Sequence, residues 1–190
     1  MRPKIFRPTI LGLLVLLLVA GSAPILAAAD NPAVGPRASE GYTDLVANGT
    51  AWVPEMRNHY QLWKWFGWGV EARLKAARAP GYEWVHIPIP YISVEEGTGV
   101  KLDYVEFCAR SSNGAATRPV QIDLWEDTAA GATRFYTGAI TWTANNNRQC
   151  FGVDINPDDW KESLGMSVQL YFANSTDKIT LYKAWARVRP

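Results

Sequence analysis

The sequence predicts an all-β fold: an antiparallel two-sheet β-sandwich, jelly-roll-like, of about nine or ten strands, with a closed β-barrel as the alternative. Three observations predict it. Apolar residues recur with a period of two in segment after segment. Turn-forming clusters separate those segments at short intervals, among them Ser111-Ser112-Asn113-Gly114, Asn145-Asn146-Asn147 and Asn174-Ser175-Thr176-Asp177. Helix-friendly composition is confined to residues 71–78, which lack a cap and fit a strand end followed by a loop.

Residues 1–29 read as a secretory signal peptide. Arg2, Lys4 and Arg7 give a positive start, residues 10–20 are uncharged and apolar, and Gly21, Ser22 and Pro24 break the run. Ala27, Ala28 and Ala29 offer the small residues of a cleavage site, so cleavage is expected after Ala29. The alternative is a retained anchor, but a spanning helix needs about 20 apolar residues, and this run reaches that only by including its breakers. Residues 30–41 read as a linker, with Pro32, Gly35, Pro36 and Ser39 and no apolar period. Residues 42–190 read as a single β-sandwich domain. The expected location is secreted or extracytoplasmic, with no membrane span after cleavage.

The 190-residue chain carries a formal net charge of +1. The signal holds three basic residues and no acidic ones, so the mature chain would carry 16 basic against 18 acidic residues, a net −2. That balance argues against a nucleic-acid or anionic-membrane partner. The two cysteines, Cys108 and Cys150, have no CxxC spacing and no neighbouring His. In an exported chain an isolated pair favours one disulfide. It would contribute on the order of 3–4 kcal/mol.

Strands are expected at 49–53, 60–66, 68–74, 84–89, 104–109, 120–125, 134–142, 148–154, 166–172 and 178–188. In the clearest cases the alternation assigns faces. Val85, Ile87 and Ile89 oppose Trp84, His86 and Pro88. Val105, Phe107 and Ala109 oppose Tyr104, Glu106 and Cys108. Val120, Ile122 and Leu124 oppose Gln121, Asp123 and Trp125. Met166, Val168, Leu170 and Phe172 oppose Ser167, Gln169 and Tyr171. With Phe107 and Phe151 inward, Cys108 and Cys150 both point outward and could meet on neighbouring strands. After Pro157, residues 158–162 suit one helical turn.

Nine tryptophans are the loudest compositional feature. Large aromatics dominate sandwich cores, so most are expected to be structural. Trp84 beside His86, Tyr104 beside Glu106, and Trp125 beside Asp123 are harder to bury. Were their strands to adjoin, one face would set flat rings beside carboxylates and an imidazole. That suits a sugar, whose CH face covers a ring while its hydroxyls find polar partners. Partner-protein surfaces share this composition. In Leu62 to Gly69 (LWKWFGWG), Trp63 and Trp65 share one strand face and add to the candidate site. Trp68, between Gly67 and Gly69, is expected to clamp a strand corner into the core.

Catalytic signals are sparse. His59 and His86 are the only histidines, and no GxSxG or HExxH occurs. A glycosidase could recruit two distant carboxylates among Glu83, Glu106, Asp123 and Glu126. A calcium site could use Asp123, Asp127 or Asp158, without EF-hand spacing. No cofactor and no metal site is expected. Asn48-Gly49-Thr50 and Asn174-Ser175-Thr176 match the N-glycosylation acceptor. The expectation is a non-enzymatic secreted binding module, carbohydrate-binding through exposed aromatics. A structural or protein-interaction component of the cell surface is the alternative, and a hydrolase the second. The partner would be a glycan or a cell-surface protein.

The order NGTAWVPE, WFGWGVEAR, YEWVHIPIPYI, VKLDYVEFCARSS resembles an uncharacterised group of small bacterial β-sandwich proteins. That group has a Gly-Trp-Gly turn and a Trp-x-His-x-Pro-x-Pro strand. The matching residues are Gly67, Trp68, Gly69, Trp84, His86, Ile87, Pro88, Ile89 and Pro90, with Val85 where an aromatic would be expected. The resemblance covers about a third of the chain. It implies a small β-sandwich and brings no activity or catalytic residue. The exported start and the Cys pair depart from the group and leave open a different role outside the cell.

Overall fold

The computed structural model describes residues 41–91, 94–95 and 98–190. The expected signal peptide, and the linker up to residue 40, lie outside the described residues. In chain order the strands are β1 (Thr43–Ala47), β2 (Val53–Pro54), β3 (Tyr60–Phe66), β4 (Gly69–Leu74), β5 (Gly81–Pro88), β6 (Val94–Glu95) and β7 (Thr98–Gly99). They continue with β8 (Lys101–Ser111), β9 (Arg118–Thr128), β10 (Gly131–Ala139), β11 (Arg148–Trp160), β12 (Gly165–Phe172) and β13 (Ile179–Arg189). Among the described residues three single-turn 3-10 helices accompany them, at Gly49–Ala51, Arg57–His59 and Ala76–Arg78.

Two open antiparallel sheets result. The first has the order β11-β8-β13-β4-β3, with β1 also paired to β13; the second has the order β10-β9-β12-β5-β2. From β8 onward the chain passes between the sheets at nearly every connection, with β9–β10 the one hairpin that stays within a sheet. β6 and β7 form a separate small hairpin. The expected two-sheet sandwich is what the chain forms, not the closed barrel. Among the described residues no helix is long and apolar enough to cross a membrane.

The inner faces follow the period of two. Val105, Phe107 and Ala109 of β8 are fully buried, as are Val85 of β5, Leu124 of β9 and Val168, Leu170 and Phe172 of β12. The inward residues of β5, β9 and β12 meet those of β8, β4 and β13 across the interior. Trp52 closes the core edge. It is fully buried, packs edge-on against Phe107 at 6.0 Å and donates its indole N–H to the Tyr182 carbonyl at 2.6 Å. Cys108 and Cys150 are register partners on β8 and β11, opposite in phase to the Phe107–Phe151 pair. They form the disulfide, with Cα atoms 4.0 Å apart.

Three local expectations are corrected. Residues 49–53 are not one strand. The Asn48 side chain accepts from the Thr50 amide at 2.9 Å, which turns the chain into a 3-10 helix and leaves only Val53–Pro54 extended. Residues 158–162 hold no helical turn. After an irregularity β11 resumes pairing, Asp159 with Leu102 and Trp160 with Lys101. Trp68 is not clamped into the core. It is half-exposed at the β3–β4 turn, stacked on Phe66 at 4.8 Å and on Tyr182 at 5.3 Å.

Candidate functional site

The outer face of the second sheet collects four of the expected residues. Its central strand, β12, lies between β5 and β9, and the register sets up successive rows. Tyr171 lies between Tyr82 and Arg118. Gln169 lies between Trp84 and Gln121. Ser167 lies between His86 and Asp123, and Gly165 between Pro88 and Trp125. Thr137 of β10 extends the Asp123 row, and Arg134 the Trp125 row. Trp84, His86, Asp123 and Trp125 therefore share one face, although β12 separates their strands.

Aromatic rings mark the two ends of this face. Tyr82 and Tyr171 pack at 4.8 Å, with Tyr82 60% exposed, and Trp84 lies one row further along. Trp125 stands at the far end, with the Arg134 guanidinium 5.8 Å above its ring. Gly165 beside it has no side chain to crowd the indole; an added Cβ would meet the Trp125 Cβ at 3.8 Å. From the Tyr171 row to the Gly165 row β12 rises by about 20 Å.

The middle of the face is a hydrogen-bonded polar band. One oxygen of Asp123 accepts from Gln121 Nε2 at 2.9 Å and Thr137 Oγ1 at 2.7 Å; the other accepts from Arg134 at 3.1 Å. Burial alone would raise its carboxyl pKa. These donors outweigh burial and hold it below the usual carboxylate range. His86 Nδ1 lies 2.8 Å from Ser167 Oγ. Burial lowers the His86 pKa, only partly opposed by Glu55, so the imidazole is neutral at pH 7. With Asp123 matched by Arg134, the band carries no uncompensated charge.

Tyr104 and Glu106 lie elsewhere, on the outer face of the first sheet. Alternation placed them outward correctly, but β8 belongs to the other sheet. Glu106 accepts from Trp185 Nε1 at 3.0 Å and from the Tyr104 hydroxyl at 3.1 Å. Tyr104 also packs against Trp185 at 5.2 Å and lies against Gly152, where any Cβ would overlap its ring. Burial, and then the Glu106 charge, push the Tyr104 hydroxyl up to about 12. Both side chains are committed to that face. Trp63 is buried between Tyr60 and Trp65, whereas Trp65, also on the inward phase of β3, is 52% exposed. Neither is near the second sheet's outer face.

The carboxylates considered for hydrolysis are dispersed. Glu83 pairs with His59 at 2.7 Å, Glu126 lies 3.6 Å from Lys161, and Asp123 and Glu106 sit on opposite outer faces. Asp123, Asp127 and Asp158 do not converge as a calcium site; Asp158 pairs with Arg189. Among the described residues the grouping with metal-ligand spacing is Glu106, Cys108 and Cys150, whose sulfurs are spent on each other.

Sequence reasoning missed Tyr82, Tyr171, Gln169, Thr137 and Arg134 as members of the face. Tyr82 shares the phase of Trp84 and could have been found from it. The others needed the pairing of β12 and β10 with β9, which connects distant segments.

No family model and no curated protein matches the chain. Solved structures that overlap with it include a family 11 carbohydrate-binding module from Clostridium thermocellum in complex with a β-1,3-1,4-mixed-linked tetrasaccharide. Identity is 10%, coverage 79% of this chain and 90% of that one, and the TM-score 0.40. A family 29 carbohydrate-binding module complexed with cellulohexaose overlaps at 11% identity, 78% and 93% coverage and a TM-score of 0.39. A low-affinity xylan-binding module from Roseburia intestinalis overlaps at 12% identity, 76% and 94% coverage and a TM-score of 0.38. Similarity at that level bears on no residue of this chain.

Proposed function

We propose that this chain is an exported, non-enzymatic module that binds a neutral glycan chain along the outer face of its second sheet. The observation that carries the reading is the arrangement along β12. The rings of Tyr82, Tyr171, Trp84 and Trp125 bracket a band of Gln121, Asp123, Ser167, Gln169 and His86. Rings remove the apolar CH faces of sugar residues from water; Gln121, Gln169 and His86 offer donors and acceptors to hydroxyls, while the buried Asp123 and Ser167 hold Gln121 and His86 in place. The face is long enough for several sugar units. The Asp123–Arg134 pair cancels the charge within the polar band, which favours a neutral polyol there over an ionic ligand. The signal-like start and the disulfide support a place outside the cytoplasm.

Titration of the purified protein with a panel of neutral oligosaccharides, followed by calorimetry, tests this. Trp84→Ala and Trp125→Ala are each expected to weaken binding about tenfold while leaving the folded baseline in circular dichroism unchanged. Binding by no member of the panel, or affinity untouched by both substitutions, would overturn the reading.

A further inference from the structure

The outer face of the first sheet carries a depression of about 460 Å³ lined by Val46, Asn48, Gly49, Trp68, Arg148, Tyr182 and Lys183. Its lining holds two cations and no carboxylate. Among the described residues neither Arg148 nor Lys183 is paired with an acid. The Oδ1 atom of Asn48 is occupied by the Thr50 amide and hydroxyl, at 2.9 and 3.1 Å, and among the described residues its Nδ2 donor has no acceptor.

The walls are built. Lys64, Phe66, Trp68, Tyr182 and Arg148 form one continuous column. Lys64 lies 5.0 Å over Phe66, Phe66 is nearly parallel to Trp68, Trp68 stacks on Tyr182, and the Arg148 guanidinium lies 4.5 Å over Tyr182. Trp68 reaches Tyr182 from the β4 side and Arg148 from the β11 side, so the ring faces are taken up within the column. A side chain at Gly49 would collide with the backbone of Trp68, Gly69 and Tyr182, which fixes the floor.

This geometry selects a ligand. With the ring faces occupied, a nucleobase or other flat aromatic has nothing to stack on. What remains is donor-rich: a guanidinium, an ammonium, an amide N–H and the indole and phenol edges, beside the exposed Val46 side chain. That set matches a ring with hydroxyl acceptors, an aliphatic flank and an anionic group. We propose that this depression is a second binding site, for a saccharide residue bearing a carboxylate or a sulfate. It lies on the opposite sheet from the neutral-glycan face and stands or falls independently of it.

The test uses the purified full-length protein and three probes: trigalacturonate, a sulfated disaccharide, and a neutral galactose trisaccharide. At least one acidic probe is expected to bind, more weakly as salt rises, and at least tenfold more weakly in Arg148→Gln and in Lys183→Gln. The two acidic probes distinguish a carboxylate from a sulfate site. Trp84→Ala is expected to leave this binding unchanged, which separates it from the other face. Should Arg148→Gln disturb the column and the fold, Lys183→Gln, which is outside the column, gives the same reading. Binding of neither acidic probe, equal affinity for the neutral probe, or undiminished acidic binding in Lys183→Gln would overturn the proposal.

Discussion

Asp123 holds the polar band together at the scale of a single residue. Its two oxygens accept three hydrogen bonds from three different strand positions, two on β10 and one on its own strand. These bonds favour the ionised form, so the folded carboxyl lies below its unfolded value of about 3.9. The contribution to stability is fully present above the unfolded value and is lost as pH falls through the folded one. Asp123→Asn is therefore expected to cost about 1–3 kcal/mol near pH 7, because buried donors lose a charged acceptor. The gap from the parent protein should shrink as pH falls below the unfolded value and on through the lower folded one. Urea denaturation at pH 7, 5 and 3 measures it; a constant gap would mean that Asp123 acts through shape alone. The residue scale is also where the sequence was most readable. Alternation assigned Asp123, Trp125, Trp84, Tyr104 and Glu106 to outer faces, and all five are there. A period of two reports inside against outside, but says nothing of which sheet a strand joins. So Tyr104 and Glu106 had the right phase and the wrong face.

Among the elements, the β3–β4 hairpin shows what periodicity does not encode. Its turn residues, Gly67 and Trp68, suggested a corner buried in the core. The structure instead lays Trp68 outside, between Phe66 and Tyr182. Stacking on Phe66 and Tyr182 holds the ring there, and at Gly69 beside it β4 approaches β13 so closely that an added Cβ would overlap the Leu181 carbonyl oxygen. Gly69→Ala is accordingly expected to destabilise the protein by about 1–3 kcal/mol, the usual cost of overpacking. Chemical denaturation reads the cost, and Trp fluorescence should report altered stacking of Trp68; a variant as stable as the parent would show that β4 yields there. The 49–53 strand failed for a similar local reason, since an Asn48 side chain bonding to Thr50 competes with any ladder. Such effects depend on one atom's reach, not on a pattern.

For the whole molecule, the question is what keeps two open sheets from unravelling at their edges. β11 is an edge strand of the first sheet: among the described residues it pairs only with β8, its register breaks between Asp154 and Asp159, and much of its length is exposed. An edge with unpaired backbone groups frays and invites intermolecular pairing. The Cys108–Cys150 bridge ties that edge to β8, which lies beside β13 in the middle of the sheet. The sequence separation of 42 residues spans β9 and β10, so the bridge also ties together parts of both sheets in the unfolded chain. Chain-entropy reasoning then gives about 4 kcal/mol for closing that loop. The double variant Cys108→Ser/Cys150→Ser is expected to lose about that much and to melt roughly 10 °C lower. Reduction of the parent protein should reproduce the loss, and the added lability should appear first as faster amide exchange in β11. A variant with unchanged stability but increased exchange confined to β11 would assign the bridge to guarding the edge. Unchanged stability and unchanged exchange together would show that β8 pairing alone is sufficient. Either result bears on function through the same edge. Arg148, which closes the cationic depression over Tyr182, is the first residue of β11, two positions from Cys150. Loosening the bridge should therefore weaken acidic-saccharide binding there while leaving the neutral-glycan face of the second sheet untouched.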